Sequence, residues 1–406
     1  MPTPEPNAQH RSCPHVSPLG VTHAQYLDRC HAVGVGSGRA SAAYSAFYRE
    51  GRLIGPAEGT PIAPIVKQHE EACDEGLIIK FCQRLDALHG ETSSIRASDR
   101  QPLGVLHADQ RVRHLDIETV VIPMIGRTRR KTHTMCLSSQ VGCAMGCEFC
   151  ETAQMGLIRS LTAAEIVGQW FAARHLLEPD DPFDLDNIVF MGMGEPLDNL
   201  DEVLKAIACL TDHLGAMMPM SKITISTVGR VDGLRKLVDV VQQPGWKRLG
   251  LALSINAPND DVRSAIMPVN KRWGMDELQD AMRELVRVRG SRKILFEYVM
   301  IPGVNDAPEH ARELAAWLRP FTRDETRGHI GLLNVIPYNP RRDSPWPAPD
   351  EDAVRTFVDL VASHGVFVKR RRTKGRSQMA ACGQLGTADI RKRKYVPADA
   401  EPAGRE

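Results

Sequence analysis

Residues 143–150 read Cys143-Ala-Met-Gly-Cys147-Glu-Phe-Cys150, and they closely follow a short apolar segment of the chain. Three thiolates with the spacing C-x3-C-x2-C can wrap one side of a 4Fe–4S cube, and Gly142 and Gly146 permit the tight turns that this requires. Such cubes are normally held by four cysteines. A loop with three cysteines therefore predicts that an external ligand occupies the fourth iron.

The same three cysteines allow other interpretations. Zinc would need a fourth ligand in tetrahedral geometry, and Cys136 or His133 could supply it. A structural disulfide would leave one thiol over and is unusual in a reducing compartment. The spacing favours the iron–sulfur cube, while zinc remains open on these residues alone.

Short apolar strands and amphipathic helices alternate on both sides of this loop. Strands are predicted at residues 134–137, 188–191, 223–228, 249–255, 294–300 and 330–336. Helices are predicted at residues 163–177, 200–213, 231–241, 275–288, 308–318 and 350–364. Six strand–helix units predict a parallel sheet with right-handed crossovers, either open or curved into a partial barrel. In both cases functional residues gather at the carboxyl ends of the strands.

Polar residues stand at the ends of several predicted strands. Gly194 and Glu195 belong to the segment Met-Gly-Met-Gly-Glu-Pro after the second strand. Further polar side chains follow later strands, at Ser226, Ser254, Asn256 and Asn339. A carboxylate can accept hydrogen bonds from an ammonium group, and small polar groups suit a ribose, an adenine or a carboxylate. Each of these residues alone is more often a turn residue or a helix cap.

The composition places the chain among globular enzymes. It has 406 residues, of which 42% are hydrophobic and 25% charged, and this excludes global disorder. No apolar run approaches the ~18 residues of a membrane helix, and the first fifteen residues lack the apolar core of a signal peptide. Ten cysteines are too few for a disulfide scaffold. We therefore expect a cytoplasmic enzyme.

Basic residues are clustered although the formal net charge is only +1. The clusters are at residues 127–131, 369–376 and 391–394. Clustered lysine and arginine side chains attract phosphates, so local patches matter more than the total charge. A single run of this kind is more often a solvated surface. Since clusters flank the cysteine loop and the strands on both sides, a solvated surface and an RNA or DNA partner are equally supported at this point.

The chain divides into four predicted parts. Residues 1–20 contain five prolines and predict a disordered arm. Residues 21–115 predict a helical accessory domain. Its glycine-rich turn Val33-Gly-Val-Gly-Ser-Gly-Arg39 could present backbone N–H groups to phosphate, and a plain turn between two helices explains the same residues equally well. Residues 116–371 form the strand–helix core, and residues 372–406 form a C-terminal segment with a basic tail.

Taken together, these segments resemble the radical S-adenosylmethionine (SAM) RNA adenine methyltransferases. The motifs lie within residues 117–390 and include SSQVGCAMGCEFC, GMGEPLDN, ITISTVG, EYVMIPGVND and AACGQL. The resemblance implies a partial (β/α)6 TIM-like barrel of the radical SAM type behind the accessory domain. It also implies one 4Fe–4S cluster on Cys143, Cys147 and Cys150, with SAM on the fourth iron and against the strand-end residues.

The resemblance also implies an activity. Members of this family methylate carbon 2 of adenine in ribosomal and transfer RNA, and a close branch methylates carbon 8. We therefore expect methylation of adenine C2, with C8 as the alternative, and two SAM molecules per turnover. The expected partners are RNA and an electron donor such as flavodoxin, and the expected state is a monomer.

Three residues take catalytic roles by this resemblance. Cys382 would accept a methyl group from SAM, Glu118 would be the proton acceptor, and Cys136 would release the product by forming a disulfide with Cys382. One position departs from the family, which usually has Ser-x-His where this chain has Ser254-Ile-Asn256. Asparagine keeps a donor and an acceptor but carries no charge.

Two other function classes fit parts of this pattern. A radical SAM enzyme that acts on a small molecule or a peptide would share the cysteine loop and show no affinity for RNA. A zinc-bearing RNA-binding module without catalysis would contain zinc, lack iron and leave SAM intact.

Overall fold

The computed structural model describes residues 13–86, 114–125, 130–178, 184–290, 293–322, 330–371, 379 and 383–386. The helices among these residues are α1 (His23–Ala32), α2 (Ser37–Glu50), α3 (Ala163–His175), α4 (Leu200–Thr211), α5 (Val231–Gln242), α6 (Asp260–Ile266), α7 (Met275–Arg289), α8 (Pro308–Thr322) and α9 (Glu351–Ser363). The strands are β1 (Ile65–Cys73), β2 (Gly76–Asp86), β3 (His114–Ile125), β4 (Lys131–Cys136), β5 (Gln140–Gly142), β6 (Leu157–Ser160), β7 (Leu185–Phe190), β8 (Ile223–Thr227), β9 (Gly250–Ser254), β10 (Ile294–Met300), β11 (Gly331–Pro337) and β12 (Val368–Arg370).

One large sheet organises the described residues, with the strand order β1-β2-β3-β4-β7-β8-β9-β10-β11-β12. All neighbours from β4 to β12 pair in parallel. The six predicted strand–helix units are confirmed, because β4, β7, β8, β9, β10 and β11 are each followed by a helix of the predicted span. The short strand β12, after α9, was not predicted.

Residue patterns in the sequence account for these elements. The parallel strands carry side chains that are fully buried between the sheet and its helices, such as Ile188, Leu253 and Phe296. Helix α3 begins with a capping box, in which the Thr162 hydroxyl accepts a hydrogen bond from the Glu165 N–H and the Glu165 carboxylate accepts one from the Thr162 N–H. Because such a capping box can be recognised in the sequence, the predicted start of α3 agrees with the observed one.

The expectation of a helical domain over residues 21–115 is wrong for part of that range. Helices α1 and α2 are present, but β1 and β2 form an antiparallel hairpin that continues through β3 to β4. Strand β1 is at the edge of the sheet, and most of its charged side chains face solvent. An edge strand with such a polar composition lacks the apolar alternation that identifies strands in a sequence.

The expectation of a disordered arm is wrong for residues 13–20, while residues 1–12 lie outside the described residues. Val16 and Leu19 are buried in the main core, and the Val16 N–H donates to the Pro56 carbonyl at 2.7 Å. Helix α2 packs on α3 through Phe47 and Phe171, whose rings stack at 4.4 Å. The N-terminal helices therefore share the hydrophobic core of the sheet.

Candidate active site

A cleft opens at the carboxyl ends of the parallel strands. The predicted site residues that line it are Cys143, Cys147, Cys150, Gly194, Glu195, Ser226, Ser254 and Asn256. The fold thus brings together the cysteine loop and the ends of β7, β8 and β9, as expected for parallel strands with a common edge.

The cysteine loop is held by the small antiparallel pair of β5 and β6. The Cys143 N–H donates to the Gly156 carbonyl at 3.0 Å, and the Cys150 N–H donates to the Cys147 carbonyl at 3.1 Å. Gly142 has φ +76°, and a Cβ at this position would collide with the Gly156 carbonyl oxygen. Glycine is therefore required where the chain enters the loop.

The three thiols share one wall of the cleft. Burial raises the pKa of the Cys143, Cys147 and Cys150 thiols, and the neighbouring thiols of the loop raise the pKa of Cys143 and Cys147 further. Clustered thiolates in such a place require a bound cation, so the donor set fits a metal cofactor.

Cys136 and His133, which could supply the fourth ligand of a zinc site, are not among the residues that line the cleft with Cys143, Cys147 and Cys150.

Glu195 is a buried carboxylate that faces the cleft from the end of β7. One of its oxygens accepts the Leu197 N–H at 3.0 Å and the other accepts the Val228 N–H at 2.9 Å. Burial raises the pKa of Glu195, and the hydrogen bond from Val228 opposes this rise. Gly194 has φ +101°, and a Cβ there would lie 2.6 Å from the Gln140 Cβ. This close packing of Gly194 on β5 fixes the neighbouring Glu195 carboxylate beside the cysteine loop.

Asn256 lies at the end of β9 with a left-handed backbone, φ +55°. Asparagine adopts this conformation more readily than most residues do. Its Oδ1 accepts the Val299 N–H at 2.9 Å, and its carbonyl accepts the Asn305 Nδ2 at 2.8 Å. Asn256 stands where the family usually has histidine. Its side chain joins β9 to the end of β10 and also lines the cleft.

Three further predicted residues are buried but do not line the cleft. Asn339 follows β11. Glu118 on β3 forms an ion pair with Lys80 at 2.9 Å. Cys136, at the end of β4, packs in an apolar cluster that includes Leu385, and Leu385 does line the cleft.

The short segment 383–386 covers the cysteine loop. The Glu151 N–H donates to the Gly383 carbonyl at 2.7 Å, and the Thr152 hydroxyl donates to the Leu385 carbonyl at 2.6 Å. The Gly386 N–H donates to Glu118 Oε2 at 2.7 Å. Cys382, the predicted methyl carrier, lies outside the described residues, as do the basic residues 127–129, 372–376 and 391–394.

Known proteins share this arrangement. Residues 137–315 match the family model of the radical SAM superfamily. The crystal structure of a radical SAM methyltransferase from Sphaerobacter thermophilus matches with a TM-score of 0.73 and 32% identity, over 91% of this chain and 99% of that one.

Curated relatives narrow the family further. The probable dual-specificity RNA methyltransferase RlmN 1 of Protochlamydia amoebophila is 35% identical over 94% of this chain and 97% of its own length. The dual-specificity RNA methyltransferase RlmN of Lawsonia intracellularis is 43% identical over 67% of this chain and 72% of its own length. The chain belongs to the radical SAM RNA methyltransferase family. Its partial (β/α)6 barrel is therefore of the radical SAM type.

Sequence reasoning missed several residues at the cleft of this radical SAM methyltransferase. Glu297 and Arg371 line the cleft. Arg263 on α6 does not line the cleft, but it is fully buried, and burial lowers its pKa to about 10. It donates to the Ile255 carbonyl at 3.1 Å and to Asn270 Oδ1 at 3.0 Å, which joins β9 to the segment after α6. Glu297 had a signal, because a carboxylate inside the apolar strand Ile294–Met300 is unusual.

Proposed function

We propose that the protein methylates adenine C2 in ribosomal RNA, transfer RNA or both, through a methylated Cys382. The observation that carries the proposal is the position of segment 383–386. Gly383, which follows Cys382 in the chain, lines the same cleft as the three cysteines of the loop. The family relatives named as dual-specificity RNA methyltransferases support the RNA substrate.

In this proposal Cys143, Cys147 and Cys150 hold a 4Fe–4S cluster. When bound, the cluster supplies the electron that cleaves SAM reductively. Around it, the Glu195 carboxylate orients the SAM amino group, and the polar strand ends at Ser226 and Ser254 contact the rest of the molecule. The walls formed by Val228, Val299 and Ile336 exclude water from the ligand.

The two remaining cysteines act in sequence. The Cys382 thiol takes a methyl group from one SAM and presents it to a second SAM, which explains the demand for two SAM molecules per turnover. In the release step the Glu118 carboxylate takes the proton from adenine C2, and the Cys136 thiolate attacks the Cys382 sulfur. The S–C bond between Cys382 and the product breaks, the product carbon takes up a proton, and a Cys136–Cys382 disulfide forms. An external reductant then returns both cysteines to thiols. Cys136 and Leu385 belong to one apolar cluster, which supports a role for Cys136 close to the C-terminal residues.

The partners follow from this chemistry. RNA phosphates would meet the clustered basic residues, and an electron donor such as flavodoxin would reduce the cluster. Both suit the cytoplasmic location and the monomeric state expected from the sequence. Among the described residues, no helix has the length and apolar character needed to cross a membrane.

Nucleoside mass spectrometry tests the proposal. Anaerobically reconstituted enzyme is incubated with SAM, a reductant and either ribosomal or transfer RNA. We expect 2-methyladenosine in wild-type reactions and none with Cys382→Ala. Cys209→Ala, which removes a buried thiol from α4, should retain activity. 8-Methyladenosine would move the assignment to C8. SAM cleavage without any methyladenosine would favour a substrate other than RNA.

A further inference from the structure

Glu297 is a buried carboxylate on β10 that faces the cleft with one oxygen available. The residue is 3% exposed and lines the cleft. Its Oε1 accepts a hydrogen bond from Asn334 Nδ2 at 2.9 Å. Its Oε2 accepts no hydrogen bond from the described residues. A buried carboxylate oxygen without a donor is costly, so such an atom indicates a ligand that supplies one.

The sheet register places this carboxylate beside a proposed SAM contact. In the parallel pairing, Glu297 is opposite Ser254 on β9 and opposite Asn334 on β11. Neighbouring strands are about 4.8 Å apart, so a ligand that touches the Ser254 hydroxyl is within reach of Glu297. Both side chains line the same cleft.

The charge around Glu297 limits the kind of donor. Arg371 Nη1 lies 3.7 Å from Glu297 Oε2, which is an ion-pair distance without a hydrogen bond. This guanidinium already balances the carboxylate, so a second cation gains little. The apolar side chains of Phe190, Val299 and Ile336 also line the cleft. A neutral, partly apolar ligand with O–H or N–H donors fits these surroundings, and a nucleoside has this chemistry.

We propose that Glu297 Oε2 accepts a hydrogen bond from an adenosine bound in the cleft, through a ribose hydroxyl or the exocyclic amine. The inference rests on the proposed function, because both SAM and the target nucleotide bring an adenosine to this site. Asn334 positions the carboxylate from the adjacent strand. Glu297 is then a ligand-binding residue in addition to the strand-end residues predicted from the sequence.

The test is Glu297→Gln in the anaerobically reconstituted enzyme. Glutamine has nearly the same shape, but it places an NH2 group at one of the two oxygen positions. The donor of either Asn334 or the ligand then faces another donor, and one of the two hydrogen bonds is lost. Equilibrium dialysis with radiolabelled SAM and filter retention of substrate RNA give the two affinities. We expect one of them to fall about tenfold or more. A loss for SAM alone assigns the contact to SAM, and a loss for RNA alone assigns it to the target adenosine.

Glu277→Gln is the matched control, because it removes a carboxylate that pairs with Arg235 on the surface, outside the cleft. Neither affinity should change in this variant. If the glutamine variant folds poorly, Glu297→Asp replaces it in the test. Aspartate keeps the charge but is shorter by one methylene, so its carboxylate no longer reaches the ligand and binding should weaken. Unchanged SAM and RNA affinities in a folded Glu297 variant would overturn the proposal. A wild-type enzyme that binds neither SAM nor RNA would instead refute the proposed function itself.

Discussion

At the scale of single residues, the site depends on charged groups that are removed from water. Glu118, Glu195 and Glu297 are each less than a tenth exposed, and each is held by specific donors. For Glu118 the donors are the Lys80 ammonium group and the Gly386 N–H. Lys80 also donates to the Met379 carbonyl at 2.9 Å. The pair therefore joins β2 and β3 to two points on either side of Cys382.

Lys80→Met should destabilise the protein because it leaves the Glu118 carboxylate buried without its cation. Breaking a buried pair from one side costs about 3 kcal/mol or more. The free energy of unfolding from urea titration measures this loss. Lys205→Met is the control, since its pair with Glu202 is largely exposed and should contribute less than about 1 kcal/mol. Equal effects of both variants would contradict the account of the Glu118 site.

At the scale of elements, the helices and strands that could be predicted from the sequence are those with a clear local periodicity of apolar residues. The six strand–helix units carry their own signals, an apolar run followed by an amphipathic helix with caps. The hairpin of β1 and β2 does not, because β1 has the polar pattern of an edge strand. Strand β12 spans only Val368–Arg370 and has two exposed residues, so it contains too little pattern to identify.

The same distinction applies to the candidate site. Cys143, Cys147 and Cys150 form a local motif and could be found from spacing. The ion pair of Glu118 with Lys80 and the approach of segment 383–386 depend on pairing between distant parts of the chain. A single sequence does not encode such contacts as a local pattern.

Gly142→Ala tests the hairpin that carries the cysteines. The left-handed backbone costs an alanine about 1 kcal/mol, and the collision with the Gly156 carbonyl adds to this cost. We expect a lower urea midpoint and a lower iron content after reconstitution. Gly245→Ala is the control, because Gly245 also has a positive φ but nothing lies within 4 Å of an added Cβ. The account is wrong at this hairpin if both variants keep full iron content and lose equal stability.

The contact between α2 and α3 should depend on pH through His175. Its Nε2 donates to the Tyr48 carbonyl at 3.0 Å, and burial lowers the pKa of His175 below its ordinary value of 6.5. The unfolded chain then binds the proton more readily, so stability should fall as the pH drops through about 6.5. Thermal unfolding at a series of pH values measures this fall. His175→Gln, which keeps a donor without titrating, should reduce the pH dependence, and an unchanged dependence would contradict this role.

At the scale of the whole molecule, three distant parts of the chain meet at one cleft. The cysteine loop, the carboxyl ends of the strands and segment 383–386 all line it. The parallel sheet brings the strand ends together, and the hydrogen bonds from Glu151 and Thr152 hold segment 383–386 on the loop. The proposed joint action of Cys382 and the cysteine loop requires such an arrangement.

The central claim is that Cys382 carries the methyl group, and peptide mass spectrometry tests it most directly. The reconstituted enzyme is incubated with SAM labelled by deuterium in its methyl group, then digested and analysed. The account predicts a labelled methyl on the peptide that contains Cys382, and an unlabelled peptide around Cys209. An unmodified Cys382 in enzyme that binds SAM and contains its iron would contradict it.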